Sequence, residues 1–540
     1  MKNLLKKVLV LVLALSCALG AFAGCGDYGE PEEEVDPNRR QIYVSMFTGG
    51  QGIEWLKNDL KYKYEATHPD IQIMVDGNYR DSVYSEMPGL ETDIFINERD
   101  SYELFATSGN LADIGEWVTE DVYDENYNYV GKDSGTVSIK DRMPESFANF
   151  YNKNGAYYGT PFYEGTFGIY YDADLFEEEG WYDNGNGPDG VANTPDDGLP
   201  STWQDFVRLI AKVKNAGITP FCFSNLGYII YGIYGAVWAH YEGKNNFDIN
   251  FTFSGTDSNL GEINANPGTA NFVELQKQEG RRAALTFYNE ILKTGNQSYT
   301  TRVGQSHTDA QAEFVQGIQT GNRCAMFLEA NYWQNEARAT FEALEGIDED
   351  WGYTKRNFKF MPFPRFVGND GTSVPAQTNT KNTLFSTGSD SFIFVNGARV
   401  KTGAEAATDV HTQDVKEFYQ YLNSNIGCTT FTKYSGCFRT LKFKMSPEAL
   451  SECTVLTQDM YEYRFHETSE MCYELSTCTT RVNQYETFLR FDLNTKLSNG
   501  IVKADVFAHF KTNNGVEHVN DYFEGLYRYW TTVANFQVLG

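Results

Sequence analysis

The sequence predicts an α/β fold built on a parallel sheet, and three observations predict it. Ile42, Val44 and Met46 alternate with other residues over one short segment, and Ile71, Ile73 and Val75 do so over another, the period-two signature of strands. Between them Ile53, Leu56, Leu60 and Tyr64 recur at helical spacing up to His68-Pro69, where the proline stops the helix. A strand–helix–strand unit as short as 42–75 returns its second strand parallel to the first.

The remaining elements follow in order. Phe47-Thr48-Gly49-Gly50-Gln51-Gly52 is a glycine-rich turn leaving the first strand. Asp93-Ile94-Phe95-Ile96 reads as the next strand, and 102–108 as a helix ended by Gly109-Asn110. A second region opens near Tyr157. There Ser201-Thr202 reads as the N-cap of a helix that places Phe206, Leu209, Ile210 and Val213 on one face. Further helices fit 229–238, 282–292, 310–319, 415–422 and 522–533. The stretch 245–268 is polar and rich in Gly and Asn, so it is expected to be a surface insertion.

The chain has 540 residues, which suggests two to four units of ordinary size. Its first segment is an address rather than a fold. Lys2, Lys6 and Lys7 form a basic n-region, followed by an apolar run from Val8 that is short for a bilayer span. Two processing readings follow. Ala21-Phe22-Ala23 is an A-x-A site that would release a chain starting at Gly24. Phe22-Ala23-Gly24-Cys25 resembles the bacterial lipobox, which would lipidate Cys25, and this is the reading adopted. Residues 25–40, with Pro31, Pro37 and Glu32-Glu33-Glu34, are then expected to be a flexible acidic tether.

Loss of the leader's three lysines takes the net charge from −29 to −32. Such a body repels phosphate backbones and anionic lipid, which argues against nucleic-acid binding and leaves the lipid anchor as the sole membrane contact. Aromatic residues make up 15 %, so the rings need a large core, a large binding surface, or both. Seven body cysteines remain besides Cys25. Five of them lie between 428 and 478, where local disulfides are expected in an exported chain.

Catalytic and cofactor motifs find little support. Gly185-Asn186-Gly187-Pro188-Asp189-Gly190 fits G-x-G-x-x-G by letters, but Pro188 and the polar flanks remove the strand–turn–helix context. In the same loop Asp183, Asp189, Asp196 and Asp197 could hold Ca²⁺, though their spacing is not that of an EF-hand, and a solvated turn is the plainer reading. No C-x₂-C or H-E-x-x-H supports zinc, and no other cofactor is expected. The 73 acids offer many carboxylate pairs for glycoside hydrolysis and single out none.

Four stretches, in order, resemble the extracellular solute-binding proteins of ABC importers, the family typified by maltose-binding protein. They are 42–75; Tyr158-Gly159-Thr160-Pro161-Phe162 leading to Tyr170-Tyr171-Asp172-Ala173-Asp174-Leu175-Phe176; Leu199-Pro200-Ser201-Thr202-Trp203-Gln204-Asp205-Phe206 with Ala216-Gly217-Ile218-Thr219-Pro220; and Gly321-Asn322-Arg323-Cys324-Ala325-Met326 with Trp333 and Pro362-Phe363-Pro364. The resemblance implies a two-lobed periplasmic-binding-protein-like fold with hinge-crossing strands and a central ligand cleft. Lobe 1 would comprise 41–168 and 392–460, and lobe 2 would comprise 169–391 and 461–540. Hinge crossings would fall near 167–171 and 392–395. The implied function is a non-enzymatic, monomeric receptor that captures a carbohydrate, expected to be an oligosaccharide, outside the cell and hands it to the permease subunits of an ABC transporter. A secreted glycan hydrolase and a surface adhesion or structural protein are the rival readings.

Sugars need aromatic platforms and side chains that bond vicinal hydroxyls. Candidates sit where open α/β sheets bind ligands, beyond the carboxyl ends of strands. These are Phe47, Thr48 and Gln51; Asn97, Glu98 and Arg99; Tyr163 and Glu164 before the first crossing; Asn225; and Trp238, Glu329 and Trp333. Most of the other rings are assigned to the core. Mass spectrometry of the mature chain is expected to find a lipid-modified Cys25 as its first residue; an unmodified Gly24 start would rule the anchor out.

Overall fold

The computed structural model describes residues 33–77, 83–97, 101–266, 268–298, 306–387, 391–475, 506–516 and 519–532. The leader, Cys25, Glu98, Arg99 and Cys478 lie outside them. In chain order the principal strands are β1 (Arg40–Met46), β2 (Ile71–Asp76), β3 (Ile94–Asn97), β4 (Thr160–Pro161), β5 (Thr166–Asp172), β6 (Thr219–Cys222), β7 (Cys324–Ala330), β8 (Phe358–Met361), β9 (Asn382–Ser386), β10 (Phe392–Val395) and β11 (Ser469–Tyr473). The principal helices are α1 (54–65), α2 (Trp203–Asn215), α3 (Gly227–Thr252), α4 (Glu279–Ile291), α5 (His307–Thr320), α6 (Val410–Leu422) and α7 (Val455–Phe465).

Two sheets organise the chain. The first has the order β2-β1-β3-β10-β4. β1 is parallel to both β2 and β3, with Ile42 opposite Ile73 and Val44 opposite Val75 and Ile94, as the alternation requires. Trp55, Leu56, Leu60 and Tyr64 of α1 are fully buried, which is the apolar stripe of that helix. The second sheet has the order β11-β9-β5-β7-β6, with β8 also paired to β5. β5 is buried at every position and antiparallel to β7, β8 and β9. The α2 helix opens with a capping box in which Thr202 and Asp205 satisfy each other's backbone N–H groups, as the sequence predicts.

The chain passes from the first sheet to the second through 162–165 and returns between β9 and β10. It reaches the second sheet again at β11, after α7 has packed there through Phe360 N–H donating to Asp459. At the first passage the Glu164 carboxylate is fully buried. It accepts two bonds from Arg464 at 2.6 and 2.8 Å and one from the Tyr473 hydroxyl at 2.7 Å. The sequence offers Glu164 as a ligand group; the structure instead gives its oxygens to a bidentate pair that ties the passage to the end of α7 and to β11. Burial raises the Glu164 pKa, against the pull of the Arg464 guanidinium.

Three expectations are corrected. The tether is shorter than its composition suggests, because residues 33–39 are docked. Glu33 pairs with Lys61, Asp36 N–H donates to Gln72 at 2.8 Å, and Arg39 pairs with Glu65 at 2.9 Å. The stretch 245–268 is not a simple surface insertion. α3 kinks at Gly243, whose φ of 72° suits glycine, and continues to Thr252 before an exposed hairpin of Ser254–Asp257 and Gly261–Asn264. Phe247 packs on Trp238 and Phe385, and Phe251 on Phe247, so apolar contacts one turn apart hold the helix against its polar composition. Cys428, Cys437, Cys453 and Cys472 are buried and form no disulfide among the described residues, and Cys478 lies outside them.

Asp93 joins the first sheet to α6. Its carboxylate is fully buried and accepts from Tyr43 N–H at 2.9 Å, Arg399 at 3.0 Å and His411 at 2.8 Å. The bond to Asp93 raises the His411 pKa above its ordinary value. The charged imidazole therefore contributes stability that is complete below the unfolded pKa, about 6.5, and is lost as pH rises through the higher folded value. His411→Gln is expected to lower the urea midpoint most below about pH 6 and least near pH 8; an equal loss at both would refute the linkage. Glu164→Ala leaves the Arg464 cation buried without its partner and is expected to cost about 3–5 kcal/mol in urea unfolding.

Candidate functional site

The two lobes meet where the carboxyl end of β1 faces the carboxyl end of β7. From lobe 1 comes the loop 47–52, with Phe47 half-buried, Thr48 exposed and Gln51 buried. From lobe 2 come Glu329 and Asn331 at the end of β7, then Tyr332, Asn335 and Glu336 in the following turn and short helix. Asn335 Nδ2 donates to Gly50 O at 2.7 Å across the seam. The approach is close: a Cβ at Gly50 would lie 2.7 Å from Glu336 Cγ, so that side chain would have to move, and Gly52 has φ +67°. The glycine-rich turn is thus explained by closeness between lobes. Two further bonds follow the same boundary, Arg338 to Tyr434 O at 3.1 Å and Thr454 Oγ1 to Gln334 at 2.9 Å.

The lobe 2 wall carries a polar cluster. Gln311 Nε2 donates to Glu336 Oε2 at 2.6 Å, His307 Nε2 lies 3.4 Å from Glu336 Oε1, and the Tyr228 ring stands edge-on to His307 at 5.9 Å. Asn331 and Thr166 exchange backbone and side-chain bonds at 3.0 Å, which fixes the end of β7 to the start of β5. Tyr332 lies against Gly165 in the passage between the lobes.

Several buried polar atoms here have no hydrogen-bond partner: Gln51 Oε1, Gln311 Oε1, Asn331 Nδ2, Glu329 Oε2 and Thr166 Oγ1. Buried polar atoms are ordinarily satisfied by protein, water or ligand, so such a concentration marks a place with spare bonding capacity. Glu329 is fully buried, and its Oε1 accepts only Ala330 N–H. Burial, then the neighbouring Glu336 charge, drives its pKa far above the carboxylate range. The shift favours the protonated carboxyl, which donates as well as accepts.

The structure brings together only part of the predicted set. Phe47, Gln51 and Glu329 lie at the seam, and Thr48 beside it against Gly77. Asn97 is buried at the end of β3, where its Oδ1 accepts Phe392 N–H at 3.2 Å. Asn225 is half-buried just before α3. Tyr163 is buried against Phe162 and Phe431. Trp238 is inside lobe 2, donating to Gln278 at 2.9 Å with the Arg281 guanidinium 3.8 Å over its ring. Trp333 is fully enclosed by Tyr170, Phe314, Phe327 and Phe358. Both tryptophans are core residues in this conformation, since neither ring has an open face. The sequence reading passed over Tyr228, His307, Gln311, Tyr332, Asn335 and Glu336. The signal in the sequence is the position of Tyr332 and Glu336 beside Trp333, the larger ring of that segment.

The aspartate-rich loop uses its carboxylates internally. Asp183 accepts Gly185 N–H, Asp189 accepts Val191 N–H, Asp196 accepts Asp189 N–H and Asp197 accepts Asn193 N–H, at 2.6–3.0 Å. A cavity of about 820 Å³ lies elsewhere in lobe 2, bordered by Trp203, Arg208, Lys293, Asp370 and Asn520. None of the seam residues lines it. Among the described residues no helix is long and apolar enough to cross a membrane.

Comparison with known proteins agrees with this architecture. No curated protein sequence matches the chain. Among solved structures, one from work on xylan utilization by the thermophilic bacterium Caldanaerobius polysaccharolyticus superimposes with a TM-score of 0.55 at 14 % identity, covering 90 % of this chain and 99 % of that one. A chitin oligosaccharide binding protein gives 0.53 at 15 % identity, covering 88 % and 98 %. The apo-form of RafE from Streptococcus pneumoniae gives 0.50 at 16 %, covering 89 % and 100 %. At these identities the likeness is one of fold. The family profile of bacterial extracellular solute-binding proteins matches residues 49–425, and the chain, with its two sheets and the passages between them, belongs to that family.

Proposed function

We propose that the protein is a non-enzymatic receptor that captures a carbohydrate, an oligosaccharide by preference, between its lobes and delivers it to the permease of an ABC importer. The observation that carries this reading is the set of under-satisfied buried polar groups at the seam. Hydroxyl-rich ligands offer many weak donors and acceptors together with apolar ring faces. Gln51, Gln311, Asn331, Glu329 and Glu336 supply the polar half, and the half-buried rings of Phe47 and Tyr332 supply faces. Structural neighbours described in terms of xylan utilization and chitin oligosaccharide binding support the same class. Capture works by closure: bonds such as Asn335 to Gly50 form only when the lobes approach, so a ligand bonded to both sides shifts the population toward the closed form. Lipid attachment at Cys25 would keep the receptor beside its permease.

Calorimetry against xylo-, chito-, malto- and raffinose-type oligosaccharides tests this. At least one class is expected to bind. Glu336→Ala is expected to weaken that binding by about 1.5–3 kcal/mol, the worth of hydrogen bonds to a charged acceptor, while thermal unfolding of the free protein changes little. Silence across the panel would defeat the reading, and release of reducing sugar would replace it with a hydrolase.

A further inference from the structure

Apart from the sugar seam, three side chains far apart in sequence converge inside lobe 2. Cys222 ends β6, Cys324 begins β7, and Glu313 lies in α5. One potential ligand atom of each, the two Sγ atoms and a carboxylate oxygen, lies within 4.8 Å of the other two. Both cysteines are buried, at 0 % and 3 % exposure, and Glu313 is half-buried.

The positions are set by regular structure. β6 and β7 are parallel neighbours, and α5 lies over them with Phe314 stacked on Phe327 at 5.0 Å. The Cys222 thiol donates to Ala310 O of α5 at 3.3 Å, and the two thiols are hydrogen-bonded to each other. Cys324 is opposite Thr219 and Cys222 is opposite Phe327 on the neighbouring strand, and no disulfide joins the two thiols.

Two thiols and a carboxylate aimed at one buried point are the donor set of a thiophilic cation with tetrahedral preference. Two sulfurs bound at about 2.3 Å to such an ion lie about 3.8 Å apart, so the observed cluster needs only a small contraction. We infer that Cys222, Cys324 and Glu313 form a zinc site within lobe 2, a site separate from carbohydrate capture. On binding, each thiol gives its proton to solvent, and two thiolates with one carboxylate hold the divalent ion, leaving one position for water. The ion would clamp α5 to the sheet. The first turns of α5 carry His307 and Gln311, so the clamp would stiffen the lobe 2 wall of the seam.

The test uses the full chain kept reduced with a phosphine, dialysed with Zn²⁺ and then freed of excess metal. Elemental analysis is expected to find about one zinc per chain, and Co²⁺ in its place is expected to show thiolate-to-cobalt charge-transfer absorption. Cys324→Ser and Glu313→Gln are each expected to weaken binding roughly tenfold or more, whereas Cys453→Ser leaves it unchanged. Glu313→Gln keeps size and shape at a half-buried position, so it remains informative if the cysteine variant fails to fold. Absence of zinc and cobalt uptake by the reduced wild-type chain would overturn the site. So would uptake by Glu313→Gln equal to that of the wild type, or a Cys222–Cys324 disulfide in the purified protein.

Discussion

The buried pair of Glu164 and Arg464 is the interaction on which the two-lobed arrangement turns. Glu164 sits in the four residues through which the chain leaves one sheet for the other, Arg464 at the end of α7, and Tyr473 at the end of β11. The passage is thereby fixed to two segments about 300 residues further along the chain. The charges are buried, so neither can be released into the interior without a large desolvation cost. What remains free is rotation about the short connecting segments, and that is the freedom a closing receptor needs.

The seam follows from the same arrangement. Once the passage is fixed, the ends of β1 and β7 face each other closely, and the polar groups behind them are shielded from water with part of their bonding capacity unsatisfied by protein. A low-dielectric wall holding Glu329, Glu336 and three amide side chains is a strong hydrogen-bonding surface. Its selectivity lies in geometry, because each unsatisfied atom rewards one placement of a hydroxyl and penalises its absence.

Local signals in the sequence carry much of the fold. The alternation in β1 and β2, the stripe of α1 and the cap of α2 are short-range patterns, and each appears where periodicity places it. The ordered motifs carry the two-lobed topology. Less legible is anything decided by long-range packing. Nothing local says that 245–252 is helical, because Phe247 and Phe251 act through Trp238 and Phe385. Nothing local says that Glu164 is already partnered, because Arg464 is 300 residues away. Aromatic size misleads in the same way: Trp333 and Trp238 fill cores, while the smaller Tyr332 and the polar Glu336 next to them face the seam. Turn composition does better, since the glycines at 49–52 mark a close approach before the approaching partner is known.

The free cysteines have a consequence for biogenesis. Cys222, Cys324, Cys428, Cys437, Cys453 and Cys472 are all buried in the native state, and burial shelters thiols from oxidants in solution. That shelter exists only after assembly. The second sheet joins strands drawn from residues 166 to 473, and sheets of such long-range pairing assemble slowly. Until that sheet is complete, the chain exposes several thiols that the described fold does not pair in disulfides. In an oxidising medium its refolding yield is therefore a race between sheet assembly and mispairing, set by the redox balance without any change in the contacts of the folded protein.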